Sequence, residues 1–322
     1  MRDATKTSRR AVLAGSAALP FAAAATLRPA AAQEAIAAAP DAPKVPTVPT
    51  HRSIKLGDFE VTALLAGTNT RTQPHEIFGA NASDETFAAV AEANFIPADK
   101  AQFFYTPTLV KTATDLVLFD TGFSGEGLVS ALTSAGYSAD DVTQVVITHM
   151  HGDHIGGLMT AGSATFANAA YTTGATEFDH WAAAGNDGFE ANVRPLADRF
   201  SMINEGDSPV SGITAVNAFG HTPGMFAYML ESNGAQMLLG ADFANHYVFS
   251  LAYPDWEVSF DTDKAQAAAT RKRLLDMLAT DRLPFLGYHM PFPAMGYVAK
   301  GGLREDASYS YVPASYQFLL DS

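Results

Sequence analysis

The chain has 322 residues, 20 Lys+Arg against 34 Asp+Glu, a formal net charge of -14 and 48% hydrophobic residues; this excludes a disordered or fibrous protein and indicates a core-forming globular one. It contains no cysteine, which excludes disulfides, thiolate ligands and a cysteine nucleophile, so any metal must be held by imidazole and carboxylate. The acidic balance argues against nucleic-acid partners, which are bound by neutralising phosphates.

At the N-terminus, Arg2, Lys6, Arg9 and Arg10 precede an apolar run from Ala11 to Leu27, and Arg28-Pro29-Ala30-Ala31-Ala32 offers small residues for cleavage before Gln33. Residues 1–32 therefore read as an export signal. Within them Ser8-Arg9-Arg10-Ala11-Val12-Leu13 resembles a twin-arginine motif, so a periplasmic location is expected. The run is short, Ala-rich and broken by Pro20, which speaks against a stable membrane span. Pro40, Pro43, Pro46 and Pro49 stand among alanines, so residues 33–50 read as an extended linker or arm. Residues 51–322 are then one globular domain, with no internal break of that kind.

Along that domain, β-rich runs occur at Phe59–Leu65, Thr108–Val110, Leu116–Phe119, Val142–Ile147, Ile213–Ala218, Met237–Leu239 and Leu283–Leu286. The pattern predicts helices over Asp84–Ala93 with Ser83 as its cap, over Gly127–Ala135, and over Lys264–Ala279 with Arg271 and Arg273. Strands alternating with helices predict a layered α/β protein.

The segment His149-Met150-His151-Gly152-Asp153-His154 places four possible ligands within six residues, directly after an apolar strand run. Histidines two apart on extended backbone project to one side, and Gly152 lets the chain turn so that Asp153 and His154 face a second position. Gly156 and Gly157 allow close packing under the loop. His221, Asp242 and His289 each follow a buried-looking strand with a glycine nearby, and strand ends at one sheet edge are where α/β folds build sites. Asp120 ends its strand in the same manner, and we assign it the role of accepting an imidazole N–H to fix a ligand tautomer. His51, His75, His180 and His246 lack such a setting and are read as surface or hydrogen-bonded side chains.

This constellation resembles the metallo-β-lactamase superfamily, whose HxHxDH signature stands here as His149 to His154. Leu56-Gly57-Asp58-Phe59, Phe119-Asp120-Thr121-Gly122, Gly220-His221-Thr222-Pro223-Gly224 and Leu239-Gly240-Ala241-Asp242 fall in family order. His289-Met290-Pro291-Phe292-Pro293 and Tyr311-Val312-Pro313 are similar to the periplasmic methyl parathion hydrolase and lactonase branch. The resemblance implies an αββα sandwich of two mixed sheets flanked by helices, a homodimer, and two divalent metal ions. One is held by His149, His151 and His221, the other by Asp153, His154 and His289, with Asp242 bridging. Zn2+ is the first expectation, and Mn2+, Co2+ and Fe suit the same donors. The branch often carries a second histidine after the HTPG turn; Met225 stands there, a departure expected to alter pocket shape.

Water bridging two such cations loses a proton near neutral pH, its pKa falling from about 15.7 to roughly 7 to 9. The resulting hydroxide is the expected nucleophile, with Asp153 relaying a proton. The chain has neither a GxSxG elbow nor a P-loop pattern. Three functions are compatible with these residues: lactone or carboxylic ester hydrolysis, aryl phosphotriester hydrolysis, and a metal-dependent oxidoreductase or binding protein. The third is weakened by His151, since redox relatives place glutamate there. Positional likeness assigns Trp181 and Phe189 to a substrate pocket, whereas Phe78, Phe103, Phe104 and Phe123 are assigned to packing.

Overall fold

The computed structural model describes residues 50–317; the expected signal at 1–32 and all of the linker but Thr50 lie outside the described residues. β1 (His51–Leu56) and β2 (Phe59–Leu64) form a hairpin, and β3 (Gly67–Thr72) and β4 (Lys100–Tyr105) form a ribbon with α1 (Asp84–Ala93) between them. β5 (Thr108–Lys111), β6 (Leu116–Phe119), α2 (Gly125–Ser134) and β7 (Gln144–Ile147) follow. Short α3 (Gly152–Ile155) and the two-residue strands β8 (Met159–Thr160) and β9 (Ser163–Ala164) lead to β10 (Ala170–Gly174). Next come α4 (Ala175–Ala184), α5 (Asp187–Asn192) and β11 (Phe200–Ile203). The second half runs β12 (Ile213–Asn217), β13 (Phe226–Ser232), β14 (Ala235–Ala241), α6 (Lys264–Asp281), β15 (Phe285–Gly287), β16 (Met295–Lys300) and β17 (Tyr309–Pro313).

Two mixed sheets result, ordered β1-β2-β5-β6-β7-β10-β11 and β12-β13-β14-β15-β16-β17, so each keeps chain order. Pairing is parallel at β6-β7, β7-β10, β10-β11 and β14-β15. Each of these connections contains a helix, because parallel neighbours need a crossover. The parallel pairs also bring the strand ends that carry Asp120 and His149, and those that carry Asp242 and His289, to the same edges.

Side-chain alternation explains why the central strands are legible. Leu116, Leu118, Val145 and Ile147 join a core with Leu128 and Leu132 of α2, while Val117, Phe119 and Val146 join the core between the sheets. A strand buried on both faces reads as an unbroken apolar run. On the second sheet, Leu274, Leu275 and Leu278 of α6 join the same buried cluster, in keeping with the expected sandwich of mixed sheets flanked by helices. Ser83 caps α1 by accepting from Thr86 N at 3.2 Å, worth about 1 kcal/mol. α2 begins two residues earlier than the pattern predicts because Ser124 caps it. β3, polar and mostly exposed, has no such apolar signature. Among the described residues no helix is long and apolar enough to cross a membrane.

A third core gathers Phe78, Phe87, Phe103 and Phe249 around the β3-β4 ribbon. His246 stacks on Phe249 with ring centroids 4.5 Å apart, and its Nδ1 accepts from the N–H groups of Val248 and Phe249 at 3.1 Å each. Burial pushes this imidazole down to about 3, so the fold holds it neutral while the unfolded chain protonates it near its ordinary range. The stability it contributes is complete above about pH 6.5 and is lost as pH falls toward 3, at about 1.4 kcal/mol per unit. Denaturant titrations at pH 6.5 and 5 should therefore show the wild type losing about 2 kcal/mol more than His246→Gln. Equal losses would contradict a neutral buried ring.

Candidate metal centre

Each central ligand candidate sits where a strand stops. β7 ends at Ile147, and Thr148 leads into His149 and His151 before α3 turns the chain. His149 Nε2 lies 3.1 Å from His151 Nδ1, which in turn lies 3.0 Å from His221 Nε2. Asp242 Oδ2 is 3.0 Å from His289 Nε2 and 3.5 Å from His221 Nε2, and its Oδ1 is 3.3 Å from His154 Nε2. Asp153 Oδ2 lies 3.4 Å from His289 Nε2. The donor atoms form three overlapping groups: His149, His151 and His221; His149, His154 and Asp242; Asp153, His154 and His289. All seven residues expected as ligands are thus brought together, from four separate stretches of chain.

The backbone pays local strain to reach this point. Asp120, φ 61, and Ala241, φ 48, are both left-handed at strand ends. Gly220 has φ 122, and a Cβ there would lie 2.2 Å from the Ala267 backbone nitrogen of α6, so only glycine lets the chain pass under that helix to present His221. The expected close packing at Gly157 is also present, since a Cβ would fall 2.2 Å from the Thr121 carbonyl oxygen.

The outward nitrogens of the imidazoles are held in turn. His154 Nδ1 is 2.8 Å from Asp120 Oδ2, the contact expected of Asp120, whose other oxygen accepts from Thr148 N at 2.8 Å. His289 Nδ1 donates to the Phe104 carbonyl oxygen at 2.8 Å. His221 Nδ1 is 2.9 Å from Asp261 Oδ1, and Asp261 Oδ2 accepts from the buried guanidinium of Arg271 at 2.7 Å. Such contacts leave the inner nitrogen of each ring with its lone pair toward the centre. Asp261 and Arg271 were not foreseen in this role, being 40 and 50 positions from His221 with no local motif.

Glu177 was not foreseen either. Its carboxylate is fully buried and accepts from Met150 N at 3.0 Å, Trp181 Nε1 at 2.6 Å, Thr222 Oγ1 at 2.7 Å and Gly224 N at 3.0 Å. One side chain thereby ties the loop carrying His149 and His151 to the turn carrying His221.

The donor set fits a divalent cation. Burial and the neighbouring His154 drive His149 well below the ordinary imidazole range, and burial with His221 takes His151 down to about 3. Burial also opposes charge on His154 and His289, but Asp242 and the adjacent carboxylates outweigh it and raise both. Burial resists ionisation of Asp242, yet His289 and His154 hold it well below the usual carboxylate range. The carboxylate charge must therefore be balanced by protons on His154 and His289 or by a cation, and cation binding releases those protons. Two inward atoms, His154 Nε2 and Asp242 Oδ1, are buried without a hydrogen-bond partner, as inward-facing metal-ligand atoms would be.

A sequence profile of the Metallo-beta-lactamase superfamily matches residues 103–284. The chain belongs to the metallo-beta-lactamase superfamily. It is a hydrolase of that superfamily. It is similar to AidC, described as a dizinc quorum-quenching lactonase in complex with the product N-hexanoyl-L-homoserine, at 25% identity and TM-score 0.75 over 83% of this chain and 98% of that one. It shares the fold of AbOPH, described as a hydrolase in the beta lactamase superfamily, at 24% identity and TM-score 0.75 over 83% and 98%. It also shares that of AiiA from B. thuringiensis, solved with N-decanoyl-L-homoserine bound, at 18% identity and TM-score 0.56 over 75% and 100%. No curated protein sequence matches the chain.

Over the histidine cluster lies a cavity of about 230 Å3 whose walls include Arg71, Phe103, Tyr105, Phe123, Asp153 and Phe260. This corrects the expected aromatic assignments. Phe189 is fully buried in the α2-side core, 5.5 Å from Phe178, and does not line the cavity. Trp181 abuts the centre from outside the cavity, edge-on to the His151 ring at 5.6 Å while bonded to Glu177. Met225 is buried in the inter-sheet core, so its departure from the branch pattern is a packing difference rather than a change in pocket shape. Phe103 packs in the third core as expected and also lines the cavity, while Phe123, assigned to packing, faces it, because β4 and the turn after β6 fold over it. Phe78 packs as expected, 5.8 Å from Phe103. His51 and His75 hydrogen-bond to Ser134 and Asp84, and His180 is exposed.

Proposed function

We propose that the chain is a dinuclear metal-dependent hydrolase that opens a lactone or cleaves a carboxylic ester. The observation that carries this reading is the position of Asp242, within 3.5 Å of His221 in one donor group and 3.0 Å of His289 in the other. His149, His151 and His221 would hold one ion, Asp153, His154 and His289 the second, and Asp242 both; nitrogen and oxygen donors of this kind suit zinc. Bound there, such ions supply Lewis acidity, lowering the pKa of water from 15.7 to about 7 and polarising a carbonyl. The likeness to AidC supports a lactone as substrate.

The chain's own residues complete the chemistry. Asp153 faces the cavity and takes and returns a proton. Burial, and then Asp153, raise the Tyr105 phenol above its ordinary range, so it keeps its proton and donates to a substrate oxygen. Phe103, Phe123 and Phe260 exclude water from the reacting atoms. No serine or cysteine nucleophile is needed.

The same aromatic walls suit an aryl leaving group, which favours aryl phosphotriester hydrolysis as the second reading. The ratio of kcat/KM for an acyl-homoserine lactone to that for an aryl phosphotriester separates the two, on metal-quantified protein with a chelated control. We expect chelator-sensitive turnover dominated by the lactone. Dominance of the phosphotriester would promote the second reading, and turnover indifferent to chelation would sink both.

A further inference from the structure

A second cavity, of about 530 Å3, lies behind the metal centre, a volume typical of small-molecule sites. It shares one lining residue, His289, with the cavity over the metals. Along β4, Phe103 and Tyr105 line the metal-side cavity and Lys100, Gln102 and Phe104 this one, because successive residues of a strand point to opposite faces. His289 and β4 are therefore a wall between two sites.

The chemistry of the second cavity is distinct. Ile96, Phe104, Phe249 and Pro291 give it apolar sides. No Asp or Glu lines it, in a chain with 34 of them, and exposed Lys100 brings a positive charge. His246 also lines it and is 7% exposed. Because His246 Nδ1 accepts from two backbone N–H groups, the ring proton must sit on Nε2. That N–H has no hydrogen-bond partner among the described residues, so the ring's one remaining polar group is left for whatever the cavity holds. The Nε2 atom is not sealed off by protein, so an acceptor in the cavity can reach it.

We propose that this cavity binds an apolar monocarboxylate of the medium-chain fatty-acid class, with a carboxylate oxygen accepting from His246 Nε2–H, Lys100 supplying the countercharge and the tail lying against Ile96, Phe104 and Phe249. The site is separate from the catalytic cavity. Its test reads binding rather than turnover, so it stands or falls apart from the hydrolase reading.

Calorimetric titration of the metal-loaded protein with octanoate should show one site per chain, with 1-octanol binding at least tenfold more weakly. Lys100→Glu should weaken octanoate at least tenfold and Ile96→Trp should abolish its binding, both variants keeping the wild-type melting temperature and kcat/KM. In 15N-histidine-labelled protein, the Nε2 resonance of His246 should move on adding octanoate. Absence of binding at millimolar octanoate would overturn the proposal, as would an affinity unchanged in both variants. Loss of binding on chelation would also overturn it, because the carboxylate would then be sitting on the metals.

Discussion

Asp242→Ala should lower turnover by roughly a thousandfold or more while leaving the far-ultraviolet circular dichroism spectrum intact. The size follows from what one carboxylate does here. Metal Lewis acidity contributes several kcal/mol to the transition state, and each 1.36 kcal/mol is a factor of ten in rate. Asp242 reaches both His221 at 3.5 Å and His289 at 3.0 Å, and its charge is the main influence holding His154 and His289 up. Without it the two imidazoles lose their charge partner and the carboxylate that would serve both ions is gone, so metal content should fall together with the rate. The fold should persist, because the cores beneath are apolar and do not include this side chain. Elemental analysis alongside kinetics checks this, with His149→Ala as a companion. Full metal and full rate in either variant would refute the ligand assignment.

Glu177→Ala is expected to be the most destabilising single change near the site although Glu177 is not itself a ligand candidate. It would leave four donors facing a buried void, two of them backbone N–H groups. Unmet buried donors cost about 1 to 3 kcal/mol each, so a loss of about 4 kcal/mol is a modest expectation. For a domain of this size that corresponds to a fall in Tm of about 10 °C. The loop after β7 would also come untethered from the turn bearing His221, and metal affinity should drop roughly 10- to 100-fold, as when other contacts that orient ligands are removed. Differential scanning calorimetry and a competition titration with a chromophoric chelator measure the two effects. A variant that melts within 2 °C of wild type and holds its metal as tightly would show that Glu177 is incidental.

These residues differ in how far the chain announces them. His149, His151, Asp153 and His154 are announced by their own spacing, and His221, Asp242 and His289 by the apolar run before each. A buried strand and the turn that ends it are local features with a local signature. Asp120 was legible for the same reason, as the residue that terminates β6 and accepts from an imidazole, though only the structure identifies that imidazole as His154. Glu177 had no such mark: it lies in ATEFDHWAAA beside Asp179, one acid among others on a helix. Its partners come from positions 150, 181, 222 and 224, and only the folded chain puts them around one carboxylate. Asp261 and Arg271 were illegible for the same reason.

The aromatic residues show the limit most plainly. Phe189 and Phe103 are both apolar rings with little exposed surface, and nothing in composition or period separates a ring that faces a cavity from one that faces a core. That difference is made by the β3-β4 ribbon, which carries Phe103, Tyr105 and Arg71 over the centre from a part of the chain far from the histidine motif. The sequence by itself determined the layered α/β class, the absence of thiol chemistry and the identity of the seven central side chains, because strand periodicity and ligand type are written in neighbouring residues. The tertiary structure alone decided which carboxylates hold the imidazoles in place, which rings wall the cavity and that a second cavity lies behind His289. Those depend on contacts between segments tens to almost two hundred residues apart, and the packing that brings such segments together leaves no periodic trace in either one.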